Sequence, residues 1–109
     1  MSNSMIEFRR PDGASSRGYL ALPPRRDPVS QPGILLLQEW WGLKPHILEL
    51  ANRFAAEGYV VLAPDLFRGR IAANADEAQH LMDGLDFVDA CDQDIAGALR
   101  HLREVRHCG

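Results

Sequence analysis

The sequence contains little of the features that mark several common functional classes. Lysine occurs once, at Lys44, and the formal net charge is −3, so the basic excess typical of nucleic-acid-binding proteins is absent. No apolar run approaches the roughly 20 residues that cross a bilayer, and "MSNSMIEFRR" has no apolar core of signal-peptide length. The two cysteines, Cys91 and Cys108, do not make a disulfide framework. We therefore expect a cytoplasmic protein that binds neither nucleic acid nor membrane.

Patterns for a bound cofactor are absent as well. The four histidines are scattered along the chain and show no metal-ligand spacing. They are His46, His80, His101 and His107. A glycine-rich phosphate loop is also missing, because only Gly42 follows the first long apolar run. We therefore expect no cofactor and no metal.

The N-terminal part of the chain shows a hairpin pattern. Apolar and polar residues alternate over 6–10 and again over 17–23, and the turn cluster "PDGASS" lies between these two stretches. This arrangement predicts two strands joined in a β-hairpin. The arginine pairs at 9–10 and 25–26 stand beside prolines and an aspartate, so we expect them to be solvated charge.

Two continuous apolar runs follow, "ILLLQ" at 34–38 and "YVVLA" at 59–63. Such runs are typical of strands that are buried on both faces of a parallel sheet. Pro45 and Gly58 mark the ends of a helix predicted between them. Its apolar face consists of Ile47, Ala51, Phe54 and Ala55. The fold class is therefore α/β, with a strand–helix–strand unit at its centre.

Two further helices are predicted after a loop at 66–75. The first is short, over 76–85, with Asp76 as its N-terminal cap. The second is the longest of the chain and runs from about Phe87 to His107. Its apolar face is expected to contain Val88, Cys91, Ile95, Leu99, Leu102 and Val105. On that face Cys91 would be a small core residue.

Polar side chains follow each of the two apolar runs at the point where the run ends. Glu39 follows "ILLLQ", whereas Asp65, Arg68 and Arg70 follow "YVVLAP". Ligands of open α/β sheets bind just outside the carboxyl ends of the strands, where a guanidinium can hold a substrate carboxylate in two hydrogen bonds. Two structural alternatives stay open: Glu39 as a helix cap or arginine partner, and an Asp–Arg pair that locks the second loop.

Trp40 and Trp41 follow Glu39 directly, and each indole either lines a pocket or packs against the sheet edge. Catalysis by Cys108 is not expected. This residue follows a predicted helix end and lacks the Gly-x-nucleophile-x-Gly elbow between a strand and a helix.

Three of these stretches together resemble the dienelactone hydrolase family of α/β-hydrolase-fold enzymes. They are "LLLQEWWG", the helix ending in "AAEGY", and "VLAPDLFRG". The likeness extends from about Ser16 to Gly109, and the last helix resembles the segment that precedes the nucleophile strand of the family. It implies a partial α/β-hydrolase fold: an N-terminal hairpin, then strand–helix–strand and a long C-terminal helix around a predominantly parallel core sheet.

The resemblance also implies roles for individual residues. Glu39 matches the carboxylate that lies beside the catalytic thiol of the family and helps to control its ionisation. The backbone N–H of Trp40 would form half of an oxyanion hole, and Trp41 would wall the pocket. Arg68 and Arg70 both lie near an arginine that holds a substrate carboxylate in the founding type of enzyme. The substrate implied is a small ester or lactone.

The catalytic triad of the family, Cys, Asp and His, has no counterpart in these 109 residues. We therefore expect a single incomplete domain, with a strand and turn over 1–15 and the family-like half over 16–109. The function implied is the N-terminal part of an ester hydrolase of the carboxymethylenebutenolidase type, whose cysteine nucleophile lies beyond residue 109. The chain alone is expected to be inactive. The alternative is a catalytically dead half-domain that associates with itself, or with a missing C-terminal half, through a bare strand edge.

Overall fold

A computed structural model describes residues 3–24, 31–38 and 42–105. These residues form one four-stranded sheet with helices on both faces. The strands are β1 (Ser4–Arg9), β2 (Ser15–Ala21), β3 (Gly33–Leu35) and β4 (Val60–Pro64). Their order across the sheet is β1-β2-β4-β3. The predicted hairpin is confirmed, because β1 and β2 pair antiparallel.

Strand β4 is the central element, and all five of its residues are buried. It pairs antiparallel with β2 on one side and parallel with β3 on the other. Because neighbouring residues of a strand point to opposite faces, Leu62 packs with Phe8 and Leu20 on one face, whereas Val61 packs with Ala51 on the other. The strand begins and ends one residue later than the predicted range 59–63.

Helix α1 (Pro45–Ala56) covers one face of the sheet, and its predicted position and apolar face are confirmed. Pro45 stands at the first helical position, where its missing N–H is no loss. Gly58 follows the end of the helix with φ +107°, a backbone conformation that glycine adopts without strain. The buried positions Ile47, Ala51 and Ala55 are spaced by four residues along one side.

Helix α2 (Ala75–Asp83) begins one residue earlier than predicted, and the prediction of Asp76 as its cap is wrong. Asn74 is the cap, because its side-chain oxygen accepts a hydrogen bond from Glu77 N at 2.9 Å. Asp76 lies inside the first turn instead. There its negative charge faces the positive end of the helix dipole.

Residues 87–105 form a C-terminal helical segment on the other face of the sheet, as predicted for most of that range. It consists of α3 (Phe87–Asp89), a π-helical stretch (Ala90–Ile95), α4 (Ala96–Arg100) and a second π-helical stretch (His101–Val105). The predicted end near His107 lies outside the described residues.

The predicted apolar face of this segment is confirmed at Leu102 and wrong at Val88, Cys91 and Leu99. Val88 is 70% exposed, Leu99 is 45% exposed, and Cys91 is exposed rather than part of the core. The residues of the segment that are buried are Ala90, Asp94, Gly97, Ala98 and Leu102. The π-helical hydrogen bond spans five residues and widens the turn. The wider turn shifts the buried face away from the positions that regular α-helical spacing predicts.

Strand β3 is shorter and less buried than predicted. It ends at Leu35 rather than Gln38, although Leu36 N still donates to Leu62 O at 3.0 Å. Its residues are only half-buried, and Leu37 is 49% exposed. The reason is that β4 covers one edge of β3, while no other described strand pairs with its second edge. No helix within the described ranges is long and apolar enough to cross a membrane.

Candidate functional site

The site predicted from the sequence falls at the carboxyl end of β3 and β4. The two strands run parallel in the register Leu35 to Leu62, so the loops that follow them leave the sheet at the same edge. Such an edge is where open α/β sheets bind their ligands.

Three of the predicted site residues, Glu39, Trp40 and Trp41, lie outside the described residues. Their roles therefore remain predictions. The residues on either side are described, and Gln38 joins the two strand ends. Its side-chain oxygen Oε1 accepts a hydrogen bond from Leu66 N at 2.8 Å. Sequence reasoning missed this role, although an amide directly after an apolar run was a visible signal.

Asp65 organises the loop after β4. The residue is 7% exposed, and its Oδ2 accepts a hydrogen bond from Gly69 N at 2.6 Å. Its Oδ1 is buried and has no hydrogen-bond partner among the described residues. Burial raises the pKa of the Asp65 carboxyl group, against the opposing effect of the N–H groups of Gly69 and Phe67.

Arg68 has a left-handed backbone with φ +53°, which is unusual for a residue other than glycine. Its Nη2 lies 3.2 Å from Asp89 Oδ2 and 3.8 Å from Asp94 Oδ2. The ion pairs of this loop are therefore made with the C-terminal helical segment. One of the expected structural alternatives was an Asp–Arg pair within the loop. The described ion pairs of Arg68 are with Asp89 and Asp94 instead.

Arg68 and Arg70 line one cavity of about 340 Å³. Its apolar wall includes Phe67 and Leu81, and His80 also lines it. Among the described residues, Arg70 makes no ion pair. The structure thus brings both predicted arginines to the same cavity, with only the charge of Arg68 neutralised.

Arg10 is a charged residue of this edge that the sequence prediction placed in solvent. Its side chain is only 8% exposed, so the prediction is wrong for this arginine. It pairs with Asp12 at 2.7 Å, with Asp89 at 2.8 Å and with Asp94 at 3.4 Å. Arg9 is exposed as expected, whereas the pair at 25–26 lies outside the described residues.

A second cavity of about 170 Å³ lies between β2 and the loop after β4. It is lined by polar residues, namely Ser15, Ser16, Arg17, Asp65, Arg68 and Asp94. Across the described ranges, no group of three or more His, Cys, Asp or Glu side chains could hold a metal ion.

Comparison with known proteins places this geometry in a family. Residues 16–109 match the family model of the dienelactone hydrolases. "Protein usf" of Aquifex pyrophilus is 36% identical over 108 residues, which cover 94% of this chain and 45% of that protein. A protein of Aquifex aeolicus strain VF5, whose name proposes a carboxymethylenebutenolidase, is 33% identical with the same two coverages, 94% and 45%.

The solved structure named m3DLH superposes with a TM-score of 0.62 at 31% identity, over 84% of this chain and 38% of that one. The chain therefore spans about half the length of the curated relatives that it matches. The family match over 16–109 and the shared fold show that this chain belongs to the dienelactone hydrolase family and contains part of its α/β-hydrolase fold.

Proposed function

We propose that this chain is the N-terminal part of a hydrolase that opens a lactone or carboxylic ester by acyl transfer to a cysteine beyond residue 109. The observation that carries the proposal is the family match over 16–109, which includes both loops at the carboxyl edge of β3 and β4. The name of the Aquifex aeolicus relative proposes a reaction of the same kind, the opening of a lactone.

In the proposed reaction the thiolate attacks the carbonyl carbon of the substrate. A C–S bond forms, the C–O bond of the ester breaks, and the leaving oxygen takes a proton from the histidine of the triad. Water then hydrolyses the thioester. Developing negative charge on the carbonyl oxygen needs fixed N–H donors, and the Trp40 N–H would supply one of them. Glu39 would control ionisation of the thiol through its own charge.

The pocket wall is proposed to come from Trp41 and from the loop after β4. Of the two arginines, Arg70 is the better candidate for a substrate carboxylate, because Arg68 already lies within 3.8 Å of two aspartates. A guanidinium without an acidic partner can form two parallel hydrogen bonds to a carboxylate. In this proposal Arg68 shapes the cavity wall and joins it to the C-terminal helical segment.

The test is complementation. The chain is mixed with a polypeptide that carries the part of the Aquifex pyrophilus relative that it does not match, and hydrolysis of p-nitrophenyl acetate is followed. We expect turnover that a thiol reagent abolishes, with Glu39→Gln lowering kcat/KM by about 10- to 100-fold. The chain alone should show no hydrolysis above its Glu39→Ala variant. Thiol-independent hydrolysis by the chain alone would contradict the proposal.

A second candidate function is a non-enzymatic module that associates through β3. It is favoured by the half-buried residues of β3 and by the exposure of Leu37 just after that strand. An unpaired strand edge with apolar side chains is a template for another strand. The two candidates differ in what covers β3: the remaining part of a hydrolase domain in the first, and a second copy of this chain in the other.

A further inference from the structure

Two cavities meet at the Arg68 side chain. The larger cavity, of about 340 Å³, lies between the loop after β4, helix α2 and the C-terminal helical segment. The smaller cavity, of about 170 Å³, lies between the same loop and the start of β2. Among the described residues, Arg68 and Asp94 are the two that line both cavities. Their contact, 3.8 Å from Arg68 Nη2 to Asp94 Oδ2, therefore belongs to the wall between the cavities.

The two cavities differ in the chemistry of their walls. Phe67, Leu81 and Leu85 give the larger cavity an apolar surface. Arg70 adds a guanidinium that makes no ion pair with any described residue. The larger cavity therefore suits an apolar chain that ends in a carboxylate.

The smaller cavity is lined by polar residues, and one of them lacks a partner. Asp65 is 7% exposed, and its Oδ1 is buried without a hydrogen-bond partner within the described ranges. Its other oxygen, Oδ2, is occupied by Gly69 N at 2.6 Å. A buried acceptor without a donor is costly, so this cavity suits a group that donates a hydrogen bond.

The Arg68 side chain is held in the wall by weak ion pairs. Its Nη2 lies 3.2 Å from Asp89 Oδ2, but the side chain is 66% exposed, and ion pairs so open to water contribute little. Arg10, whose side chain is 8% exposed, binds Asp89 at 2.8 Å and Asp94 at 3.4 Å. Removal of the Arg68 guanidinium therefore leaves neither aspartate without a cation.

The backbone of Arg68 is fixed more firmly than its side chain. Its left-handed conformation, with φ +53°, is followed by Gly69, whose N–H is bound to Asp65. Phe67, on the other side, is 5% exposed and packs with residues of α2. The residue thus keeps its place between the cavities, while its long side chain can turn about its own bonds.

We propose that Arg68 is a specificity-determining residue, whose side chain divides one elongated binding site into these two cavities and thereby limits the length of the ligand. With the wall in place, a ligand whose carboxylate binds Arg70 ends within the larger cavity. Without the Arg68 side chain, a longer ligand reaches the smaller cavity and donates a hydrogen bond to Asp65. The inference rests on the carboxylate role proposed for Arg70.

Binding of two carboxylates to the chain tests this division. The probes are butanoate, which is short, and ω-hydroxyoctanoate, which carries a hydroxyl group at its far end. We expect Arg68→Ala to strengthen the binding of ω-hydroxyoctanoate about tenfold, because more of its CH₂ groups become buried. The binding of butanoate should stay close to that of the wild type. Titrations followed by the NMR signals of the backbone amides give both dissociation constants.

Two variants and a third probe serve as controls. Arg68→Lys keeps a long cationic side chain and should bind both probes as the wild type does. Arg70→Ala changes a residue of the larger cavity alone and should weaken the binding of both probes. Octanoate lacks the hydroxyl group and should gain less from Arg68→Ala than ω-hydroxyoctanoate does, because it leaves Asp65 Oδ1 without a donor.

Three results would overturn the proposal. The first is unchanged binding of ω-hydroxyoctanoate by a folded Arg68→Ala variant. The second is equal strengthening of butanoate and ω-hydroxyoctanoate, since the effect would then not depend on ligand length. The third is an equal gain for octanoate and ω-hydroxyoctanoate, since the smaller cavity would then not bind the polar end.

The readout is binding rather than hydrolysis, so the two proposals can fail separately. A length effect without turnover in the complementation assay would reject the hydrolase function and leave the division in place. Turnover together with unchanged binding of ω-hydroxyoctanoate by Arg68→Ala would reject the division alone. If Arg70→Ala weakens the binding of neither probe, the carboxylate role of Arg70 is rejected, and with it the division that rests on that role.

Discussion

Asp94 Oδ1 lies 3.4 Å from Arg10 Nη1, although 84 positions separate the two residues in the sequence. Arg10 also binds Asp12 and Asp89, and Arg68 approaches the second oxygen of Asp94. This network joins three parts of the chain at one edge of the sheet: the hairpin turn, the loop after β4 and the C-terminal helical segment.

Arg10→Met should destabilise the chain strongly, because it leaves the buried Asp94 carboxylate with Arg68, at 3.8 Å, as its one remaining guanidinium partner among the described residues. Removing one member of a buried ion pair is more damaging than removing both. We expect Tm to fall on the order of 10 °C, measured by circular dichroism on heating. The double variant Arg10→Met/Asp94→Leu should recover part of this loss.

Arg9→Met is the control, since Arg9 is the exposed neighbour of Arg10 on the same strand. Its Tm should stay close to that of the wild type. If both single variants lose the same stability, the network contributes nothing specific and the prediction is wrong.

Local sequence patterns predicted the elements whose causes are local. The β1–β2 hairpin follows from alternation around a turn cluster, and helix α1 follows from Pro45, Gly58 and an apolar face. The parallel pairing of β3 with β4 follows from two apolar runs around that helix. In each case the residues that decide the structure lie within one element or in elements that follow one another along the chain.

Contacts between distant residues explain what the sequence did not predict. Arg10 is buried because Asp89 and Asp94 come to it from the C-terminal helical segment, and no local pattern announces that contact. Cys91 is exposed because the π-helical turns shift the buried face of that segment away from the positions predicted for a regular α-helix. For the candidate site, the sequence located Arg68 and Arg70, but only the structure shows that the aspartates neutralise Arg68.

Asp65 should make stability depend on pH with an unusual sign for an acid. Burial raises the pKa of its carboxyl group in the folded state above the ordinary value of 3.8. The unfolded chain therefore loses this proton first as the pH rises, and the free energy of unfolding falls through the window above 3.8. Asp65→Asn keeps an acceptor for Gly69 N but does not ionise. It should gain stability relative to the wild type as the pH rises from 3 to 7, measured by urea denaturation.

Asp12→Asn should show the opposite sign and serves as the control. The N–H of Ala14 and the guanidinium of Arg10 lower the pKa of Asp12. The ionised Asp12 carboxylate stabilises the fold at pH values above its ordinary pKa of 3.8. This stabilisation is lost as the pH falls through the lowered pKa of the folded state. A constant difference between Asp65→Asn and wild type across the series would show that Asp65 is not the group responsible.

Gly97→Ala should destabilise the packing of the C-terminal helical segment on β1. An added Cβ would lie 2.8 Å from Arg9 O and 3.2 Å from Arg10 Cα, and both are backbone atoms that cannot move aside cheaply. Overpacking of this kind costs about 1–3 kcal/mol, which should exceed the gain of about 1 kcal/mol in helix propensity. Urea denaturation gives the difference in free energy of unfolding.

Gly84→Ala is the comparison for Gly97. Gly84 has φ −82°, and its added Cβ would meet His80 O only at 3.5 Å, an ordinary contact. The free energy of unfolding should change by about 0.5 kcal/mol or less. Equal effects at the two glycines would mean that the close approach to Arg9 O does not limit the packing.

Leu37→Lys should weaken association through β3, whichever partner covers that edge. Leu37 is 49% exposed at the end of a strand with one free edge among the described residues, and a lysine there opposes pairing with another strand. A loss of about 1.4 kcal/mol in the free energy of association raises the dissociation constant about tenfold. Sedimentation velocity over a concentration series detects this change.

Met5→Lys is the matched control, because Met5 is 38% exposed on β1, the strand at the opposite edge. If Met5→Lys abolishes association while Leu37→Lys leaves it unchanged, β1 rather than β3 is the interface. In that case Leu37→Lys should also leave turnover in the complementation assay intact. If a partner strand pairs with β3 instead, Leu37→Lys should lower both association and turnover.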